Sequence, residues 1–166
     1  LMNLLVVNHS AADVKPVHMP LLCQRAGRIS QPALEAKGLS LEVTADEGVL
    51  TGDSALLQTL TLNLLDNARK ASEAGGTVSL TGTVTASGYR IQVSDQGRGI
   101  PAEELEKITE AFYMVDKSRS RAEGGAGLGL ALCKQIAALH RGVLRFDSEL
   151  GGGTTVTVDL EGMEDA

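Results

Sequence analysis

Hydrophobic residues recur at helical spacing in three parts of the chain. The stretch "PVHMPLLCQRAGRISQPALEAKG" predicts a helix over about residues 20–36, which Gly38 closes as its C-terminal cap. Asp53 is a good N-cap for a long second helix over residues 54–72. A third helix follows the glycine-rich segment "GGAGLG". The apolar stripes of the second and third helices are Leu57, Leu60, Leu64, Ala68 and Ala71, and Leu128, Leu132, Ile136 and Leu139.

Alternation of apolar and polar residues marks the strands. The stretch "LSLEVT" predicts one strand with a single buried face. The stretches "TVSLTGTVTA" and "YRIQVS", joined by "SG", predict an antiparallel hairpin, and "VLRFDS" and "TTVTVDL", joined through "ELGGG", predict a second one. The apolar faces of the first three strands are Leu39, Leu41 and Val43; Val78, Leu80, Val84 and Ala86; and Tyr89, Ile91 and Val93.

These patterns predict the fold class. Because each strand offers one apolar face, helices must cover one side of the sheet while the other side faces water. The sequence therefore predicts an α/β fold, a two-layer sandwich of a mixed, mainly antiparallel sheet covered on one face by helices. With two Phe, two Tyr and no Trp among 166 residues, the core between the layers must be aliphatic.

Charge and cysteine usage narrow the possible partners. The net charge of -6 argues against nucleic acid as a ligand, although a single nucleotide needs only a local basic patch. Cys23 and Cys133 are far apart and lack a CxxC or Cys/His context, so neither a zinc site nor a disulfide framework is indicated. Because of these isolated cysteines, a reducing, cytosolic setting fits best. The sequence also has no run of 18 apolar residues and no signal peptide.

Polar residues line one edge of the second helix. Asn63, Asn67 and Lys70 follow one another at spacings of four and three, next to its apolar stripe. Two amides and an ammonium on one edge suit a metal and phosphates, whereas the simpler interpretation is a solvated helix face. The segment "VSDQGRGIP" favours the first interpretation, because a strand ends there in Asp95 and two glycines follow. The carboxylate of Asp95 is suited to accept a hydrogen bond from the exocyclic amine of adenine.

A dinucleotide-binding fingerprint competes for the same segment. Residues 97–102, "GRGIPA", satisfy G-x-G-x-x-G/A after a predicted strand, and Asp116 follows at a distance suited to a ribose-binding acid. Too little chain separates residue 102 from Asp116 for a crossover helix and a second parallel strand, and the neighbouring elements are hairpins. The fingerprint also leaves the glycine-rich run "EGGAGLGLALCK" unexplained.

That glycine-rich run suggests an anion held at the start of a helix. Its glycines expose backbone N–H groups and lead directly into helix-forming residues, where the helix dipole favours negative charge. The run fits neither the Walker pattern, since no Gly-Lys-Ser/Thr follows, nor the dinucleotide fingerprint, since Gly125, Gly127 and Gly129 form G-x-G-x-G.

Taken in order, the motifs resemble those of sensor histidine kinase catalytic domains. The N box, the glycine boxes, the F box and the closing Gly-Thr of that family correspond to Asn63-x-x-x-Asn67, Asp95-x-Gly97-x-Gly99, Phe112, Gly125-x-Gly127-x-Gly129 and Gly153-Thr154. The resemblance covers residues 53–160. It implies the Bergerat ATP-binding fold, with ATP and Mg²⁺ as cofactors, and it explains the glycine run as the end of an ATP lid.

The resemblance also implies roles for individual residues. Asn67 would coordinate magnesium with help from Asn63, and Lys70 would neutralise phosphate charge. Asp95 would recognise the adenine amine, supported by Thr154 through a water. The base would be bordered by Gly97, Gly99 and Ile100, and the phosphates by Gly125, Gly127, Leu128 and Gly129. The lid would span residues 116–124, with Lys117, Arg119 and Arg121 as candidates for closing on the γ-phosphate.

Departures from the family pattern bear on affinity and reaction. Ala71 stands where relatives often carry an aromatic residue, and Thr109 and Met114 depart from the F box. Asn63 stands where related ATPases place a glutamate base, and an amide does not take a proton from water. The three histidines, His9, His18 and His140, lack the context of a phosphoacceptor. Each is expected to have an ordinary surface or helix-end role.

The resemblance further predicts how the chain is organised. Residues 1–15 would be the remnant of a dimerisation-domain helix and its linker, residues 16–162 the catalytic domain and residues 163–166 a tail. The partners would be a histidine-bearing dimerisation domain of the same full-length protein, which would be a homodimer anchored in the cell membrane, and a response regulator. The catalytic domain would be cytoplasmic. A nucleotide-responsive binding module without phosphotransfer is the alternative.

Overall fold

A computed structural model describes residues 13–97, 99, 126–149 and 151–163. Its helices are α1 (Met19–Ala36), α2 (Ser54–Ala71) and α3 (Ala126–Leu139). Its strands are β1 (Lys15–His18), β2 (Ser40–Ala45), β3 (Val49–Gly52), β4 (Thr77–Val84), β5 (Tyr89–Asp95), β6 (Val143–Glu149) and β7 (Gly153–Leu160). None of the helices in these ranges is both long and apolar enough to cross a bilayer.

Five strands form one sheet in the order β2-β4-β5-β7-β6. The pair β2–β4 is parallel, and the pairs β4–β5, β5–β7 and β6–β7 are antiparallel. Helix α1 packs on β2 and β4, α2 on β4 and β5, and α3 on β6 and β7, so the helices form one layer over the sheet. The prediction of a two-layer sandwich with a mixed, mainly antiparallel sheet is confirmed.

The core lies between the sheet and the helices and is largely aliphatic, as predicted. Residues of α2 and of the central strands are almost fully buried, because β4, β5 and β7 have a neighbouring strand on each side. The opposite face of the sheet carries polar pairs, among them Ser94 with Thr155 and Gln92 with Thr157. The main core residues are Leu57, Leu60, Leu64, Val78, Leu80, Ile91, Val93, Ile136, Val156 and Val158.

Sequence periodicity missed a second, two-stranded sheet. Strands β1 and β3 pair antiparallel, which places Val17 opposite Leu50, and both side chains are buried. Each strand has only four residues, too few for a repeating apolar pattern to emerge. The pairing attaches the chain preceding α1 to the domain.

Several residues of the predicted apolar faces are less buried than expected. Val84, the last residue of β4, is 48% exposed, and Ala86 lies exposed in the turn beyond it. Ala71 and Leu139, the last residues of α2 and α3, are half-buried. Each of these four residues lies at or beyond the end of its element, where fewer neighbours cover the side chain. The periodicity therefore identifies the correct face and overestimates its length.

The start of α2 is tied to the end of α3 by a buried histidine. Asp53 is the N-cap, since its Oδ1 accepts a hydrogen bond from the N–H of Leu56 at 3.0 Å. The N–H of Asp53 donates to Nε2 of His140 at 3.1 Å, so Nδ1 carries the ring hydrogen and donates to the carbonyl of Ile136 at 2.8 Å. His140 follows the last residue of α3, as a helix-end role predicts, but it is fully buried and holds two elements together.

The buried histidine predicts a loss of stability in mild acid. Burial lowers the pKa of His140, although the carbonyl of Ile136 and the charge of Asp53 oppose the shift. In the unfolded chain His140 becomes protonated near the ordinary pKa of about 6.5, whereas in the native state its protonation requires a lower pH. The free energy of unfolding is therefore expected to decrease as pH falls below about 6.5, as measured by urea denaturation at about pH 7.5 and about pH 5.5. In His140→Gln the change over this window should be smaller, and equal changes in both proteins would contradict the assignment.

Candidate functional site

The polar edge of α2 contains one amide nitrogen that has no hydrogen-bond partner in the described part of the chain. Asn63, Asn67 and Lys70 are all half-buried on this edge, beside the buried Leu64. The Nδ2 of Asn63 donates to the carbonyl of Thr59 at 3.0 Å. The Nδ2 of Asn67 is buried and has no hydrogen-bond partner among the described residues. Leaving a buried polar group unmatched costs about 1–3 kcal/mol, and this Nδ2 is an N–H donor, which suits an oxygen acceptor such as a phosphate.

Lys70 is held in place by an acidic neighbour on the same helix. Its Nζ lies 3.0 Å from Oδ2 of Asp66, and Arg69 donates to Oδ1 of the same carboxylate at 2.7 Å. Burial acts to raise the pKa of Asp66, but the hydrogen bonds from Arg69 and Lys70 outweigh it, and the pKa lies below its usual value. The carboxylate therefore stays ionised and keeps both cations at the C-terminal end of α2, where the helix dipole also favours them.

Asp95 ends β5, and backbone donors orient its carboxylate. Its Oδ1 accepts from the N–H of Gly97 at 2.8 Å and from the N–H of Thr154 at 3.3 Å. Asp95 and Thr154 are also direct partners in the β5–β7 register. A carboxylate that accepts two backbone hydrogen bonds has a defined orientation.

Two glycines allow α2, β5 and β7 to approach one another next to Asp95. A Cβ at Gly97 would overlap the carbonyl oxygen of Ala71, the last residue of α2. A Cβ at Gly153, whose φ is +85°, would overlap the carbonyl oxygen of Asp95. The sequence predicts close approach of a ligand at Gly97; the close approach that the structure shows is that of protein backbone. The end of α2 and the end of β5 are thereby brought together.

For the other predicted site residues, the structure describes only the backbone or does not describe the residue. Gly99 has φ of +76°, a left-handed conformation that favours glycine. Helix α3 begins at Ala126, so Gly127, Leu128 and Gly129 lie in its first turns, and the glycine-rich run opens a helix as predicted. The remaining predicted residues, which are Ile100, Phe112, Lys117, Arg119, Arg121 and Gly125, lie outside the described residues, as does the predicted lid over residues 116–124.

Sequence reasoning missed two residues that support the site. Lys37 extends from the end of α1 and donates to the carbonyls of Arg69 and Lys70 at 2.7 and 3.4 Å, so it caps the last turn of α2. Ser148 hydrogen-bonds Thr154 from the neighbouring strand β6. Lys37 gives no sequence signal for this role, because its partners are 32 and 33 residues away. Ser148 could have been found from the register of the predicted second hairpin.

The donor set restricts which cation the site suits. The described residues contain no group of three or more His, Cys, Asp or Glu side chains that could hold a metal ion. A cation on the polar edge of α2 would therefore meet amide oxygens and the oxygens of a bound ligand. This fits Mg²⁺, which is commonly bound through few protein groups together with substrate phosphates.

The family match agrees with this geometry. Residues 52–162 match the family described as "Histidine kinase-, DNA gyrase B-, and HSP90-like ATPase". The chain belongs to this family, on the branch of the sensor histidine kinases, and its sandwich is the Bergerat fold. The resemblance stated from the motifs is confirmed.

Two curated relatives show how much of a longer protein the chain matches. The sensor-like histidine kinase SenX3 of Mycolicibacterium smegmatis is 37% identical over 149 residues, which cover 89% of this chain and 39% of the relative. The signal transduction histidine-protein kinase BaeS of Escherichia coli is 32% identical over 146 residues, which cover 87% of this chain and 31% of the relative. The chain thus spans less than two fifths of the length of these relatives.

Solved structures of histidine kinases have a similar fold. The mycobacterial sensor histidine kinase MprB has a TM-score of 0.76 at 32% identity, covering 92% of this chain and 100% of that one. Full-length ShkA in complex with AMPPNP has a TM-score of 0.78 at 28% identity, covering 93% of this chain and 32% of that one. The catalytic domain of histidine kinase ThkA, at 20% identity and a TM-score of 0.77, shares the fold.

Proposed function

We propose that the chain binds Mg-ATP and donates the γ-phosphate to a histidine on a dimerisation domain outside this sequence. The observation that carries the proposal is the meeting of α2 and β5 at Gly97. Because of this contact, the edge of α2 that carries Asn67 and the carboxylate of Asp95 lie on two elements that touch. One nucleotide can then contact Asp95 with its base and the edge of α2 with its phosphates.

Each described residue has a task in this proposal. Asp95 accepts a hydrogen bond from the exocyclic amine of adenine, and Thr154 supports it. Asn67, helped by Asn63, holds the magnesium ion, which when bound supplies positive charge to the phosphates. Lys70, already placed by Asp66, adds a second positive charge. Gly127, Leu128 and Gly129 present the N-terminal end of α3 to the phosphates.

The sequence supplies the rest of the proposed site. Gly99 and Ile100 border the base, Gly125 adjoins the phosphates, and Lys117 on the lid closes on the γ-phosphate. These roles follow from the family motifs alone.

The identity of residue 63, four positions before Asn67, favours phosphotransfer to a histidine over hydrolysis of ATP. Asn63 is an amide with its Nδ2 bonded to Thr59, so it does not serve as a general base for water. An imidazole nucleophile on another domain needs no base at this position. His140 is not that nucleophile, because it is fully buried with both ring nitrogens in hydrogen bonds.

The proposed organisation of the full-length protein is the one that the motifs imply. Residues 1–15 are proposed as the remnant of a dimerisation-domain helix and its linker, residues 16–162 as the catalytic domain and residues 163–166 as a tail. The full-length protein is a membrane-anchored homodimer that passes phosphate to a response regulator, and this domain works in the cytoplasm. The limited share of the relatives that the chain matches supports a longer parent protein.

Phosphotransfer to a supplied acceptor tests the proposal. The chain alone should not label itself from radioactive ATP, and adding a helical dimerisation domain with its His-Glu motif should produce labelled acceptor. Transfer should be weak, because separating the domains removes the effective concentration, often millimolar, that a short tether provides. The label should be acid-labile and base-stable, as a phosphoramidate is. Brisk ATP hydrolysis by the chain alone, or self-labelling that survives acid, would contradict the proposal.

A regulatory module that binds nucleotide without transfer is the second candidate. Ala71 favours it, because this small, half-buried residue ends α2 where relatives often carry an aromatic residue that can stack on adenine. Nucleotide binding without labelling of any supplied histidine acceptor would establish this alternative.

A further inference from the structure

Three side chains form a row across the end of the sheet. Asp95 on β5 pairs with Thr154 on β7, and Thr154 pairs with Ser148 on β6. By the alternation of side chains along a strand, all three lie on the face covered by the helices, the face that also carries Val93 and Val156. Ser148 is therefore next to the base end of the proposed nucleotide site without being part of it.

The bond from Ser148 to Gly153 determines which hydroxyl donates in the bond between Ser148 and Thr154. The Oγ of Ser148 donates to the carbonyl oxygen of Gly153 at 3.0 Å, and the same Oγ lies 2.8 Å from Oγ1 of Thr154. A serine hydroxyl has one hydrogen, so the hydrogen between the two hydroxyls comes from Thr154. With its hydrogen committed to Ser148, Thr154 offers only lone pairs to other groups.

We propose that Ser148 is a positioning residue that sets base specificity by holding the hydroxyl of Thr154 as a hydrogen-bond acceptor. The inference rests on the proposed function and names a determinant of its specificity. The carboxylate of Asp95 and the lone pairs of Thr154 then make the base end of the site a surface of acceptors. Such a surface matches the exocyclic amine of adenine and opposes the carbonyl oxygen that guanine carries at the same position.

Removing the serine hydroxyl should release the threonine hydrogen. In Ser148→Ala the hydroxyl of Thr154 is free to turn toward the ligand and donate to the guanine carbonyl. The ratio of the dissociation constants for GTP and ATP is expected to fall by about tenfold, the value of one hydrogen bond of ordinary strength. Isothermal titration of ATP and GTP measures this ratio. A loosening of the structure would weaken both nucleotides and leave the ratio unchanged.

Rescue and a matched control separate positioning from packing. Ser148→Thr keeps a hydroxyl at the same atom and should restore the ratio. Ser94→Ala removes a similar hydroxyl pair, since Oγ of Ser94 lies 2.8 Å from Oγ1 of Thr155, but on the opposite face of the sheet. This control should leave the ratio unchanged.

A double substitution keeps the test decisive if a single variant is unstable. In a Thr154→Val background the hydroxyl in question is absent, so adding Ser148→Ala should not change the ratio further. An unchanged ratio in folded Ser148→Ala, a failure of Ser148→Thr to restore it, or a further change in the Thr154→Val background would overturn the inference while the proposed function stands. A wild-type chain that binds neither nucleotide would overturn the proposed function itself.

Discussion

Asp95→Asn is expected to weaken ATP binding by about 10- to 100-fold and to remove the preference for ATP over GTP. Asp95 uses Oδ1 to accept from the N–H groups of Gly97 and Thr154. An asparagine has a single oxygen, which these two donors keep, and its amide nitrogen then faces the ligand. A donor would meet the donor amine of adenine, whereas it would suit the carbonyl of guanine.

Titration of ATP and GTP against the wild type and the variant measures this effect. Asp159→Asn is a matched control, because Asp159 is a carboxylate bonded to Arg90 and Arg145 on the opposite face of the sheet. It should leave the GTP-to-ATP ratio unchanged. If Asp95→Asn is folded and keeps the wild-type dissociation constants, Asp95 does not read the base.

Asn67→Ala is expected to abolish the dependence of ATP binding on magnesium. The side-chain oxygen of Asn67 is the proposed metal ligand on the edge of α2, and the described residues contain no group of three or more His, Cys, Asp or Glu side chains that could replace it as a metal anchor. A hard cation held mainly by the oxygen of Asn67 would lose most of its protein contact with this change. In the variant, ATP should bind equally in Mg²⁺ and in EDTA, whereas the wild type should bind more tightly in Mg²⁺.

Two further variants separate metal binding from packing. Asn67→Asp keeps an oxygen at the same position, so magnesium dependence should persist. Asn63→Ala should reduce it only in part, because Asn67, the main ligand in this proposal, remains. Magnesium that still tightens ATP binding to Asn67→Ala would show that the ion is held elsewhere.

Local sequence was enough to predict the helices, five of the strands, the N-cap of α2 and the helix-covered sheet. Asp53 caps α2, Gly38 follows α1 with φ of +80°, and each of these features depends on a few neighbouring residues. The repeat of apolar residues is likewise a local property, since it records which face of an element is turned to the core. The order of the motifs also sufficed to recognise the family, although the roles of individual site residues stay predictions.

Tertiary structure alone decided the contacts that hold the site together. Neither the pairing of β1 with β3, nor the cap that Lys37 places on α2, nor the packing of Gly97 on Ala71 follows from periodicity. Each joins residues more than 25 positions apart in the chain, and which of them meet depends on strand order and on how the layers pack. Side-chain spacing along one element specifies which face is buried. Which other element packs against that face depends on the tertiary structure of the whole core.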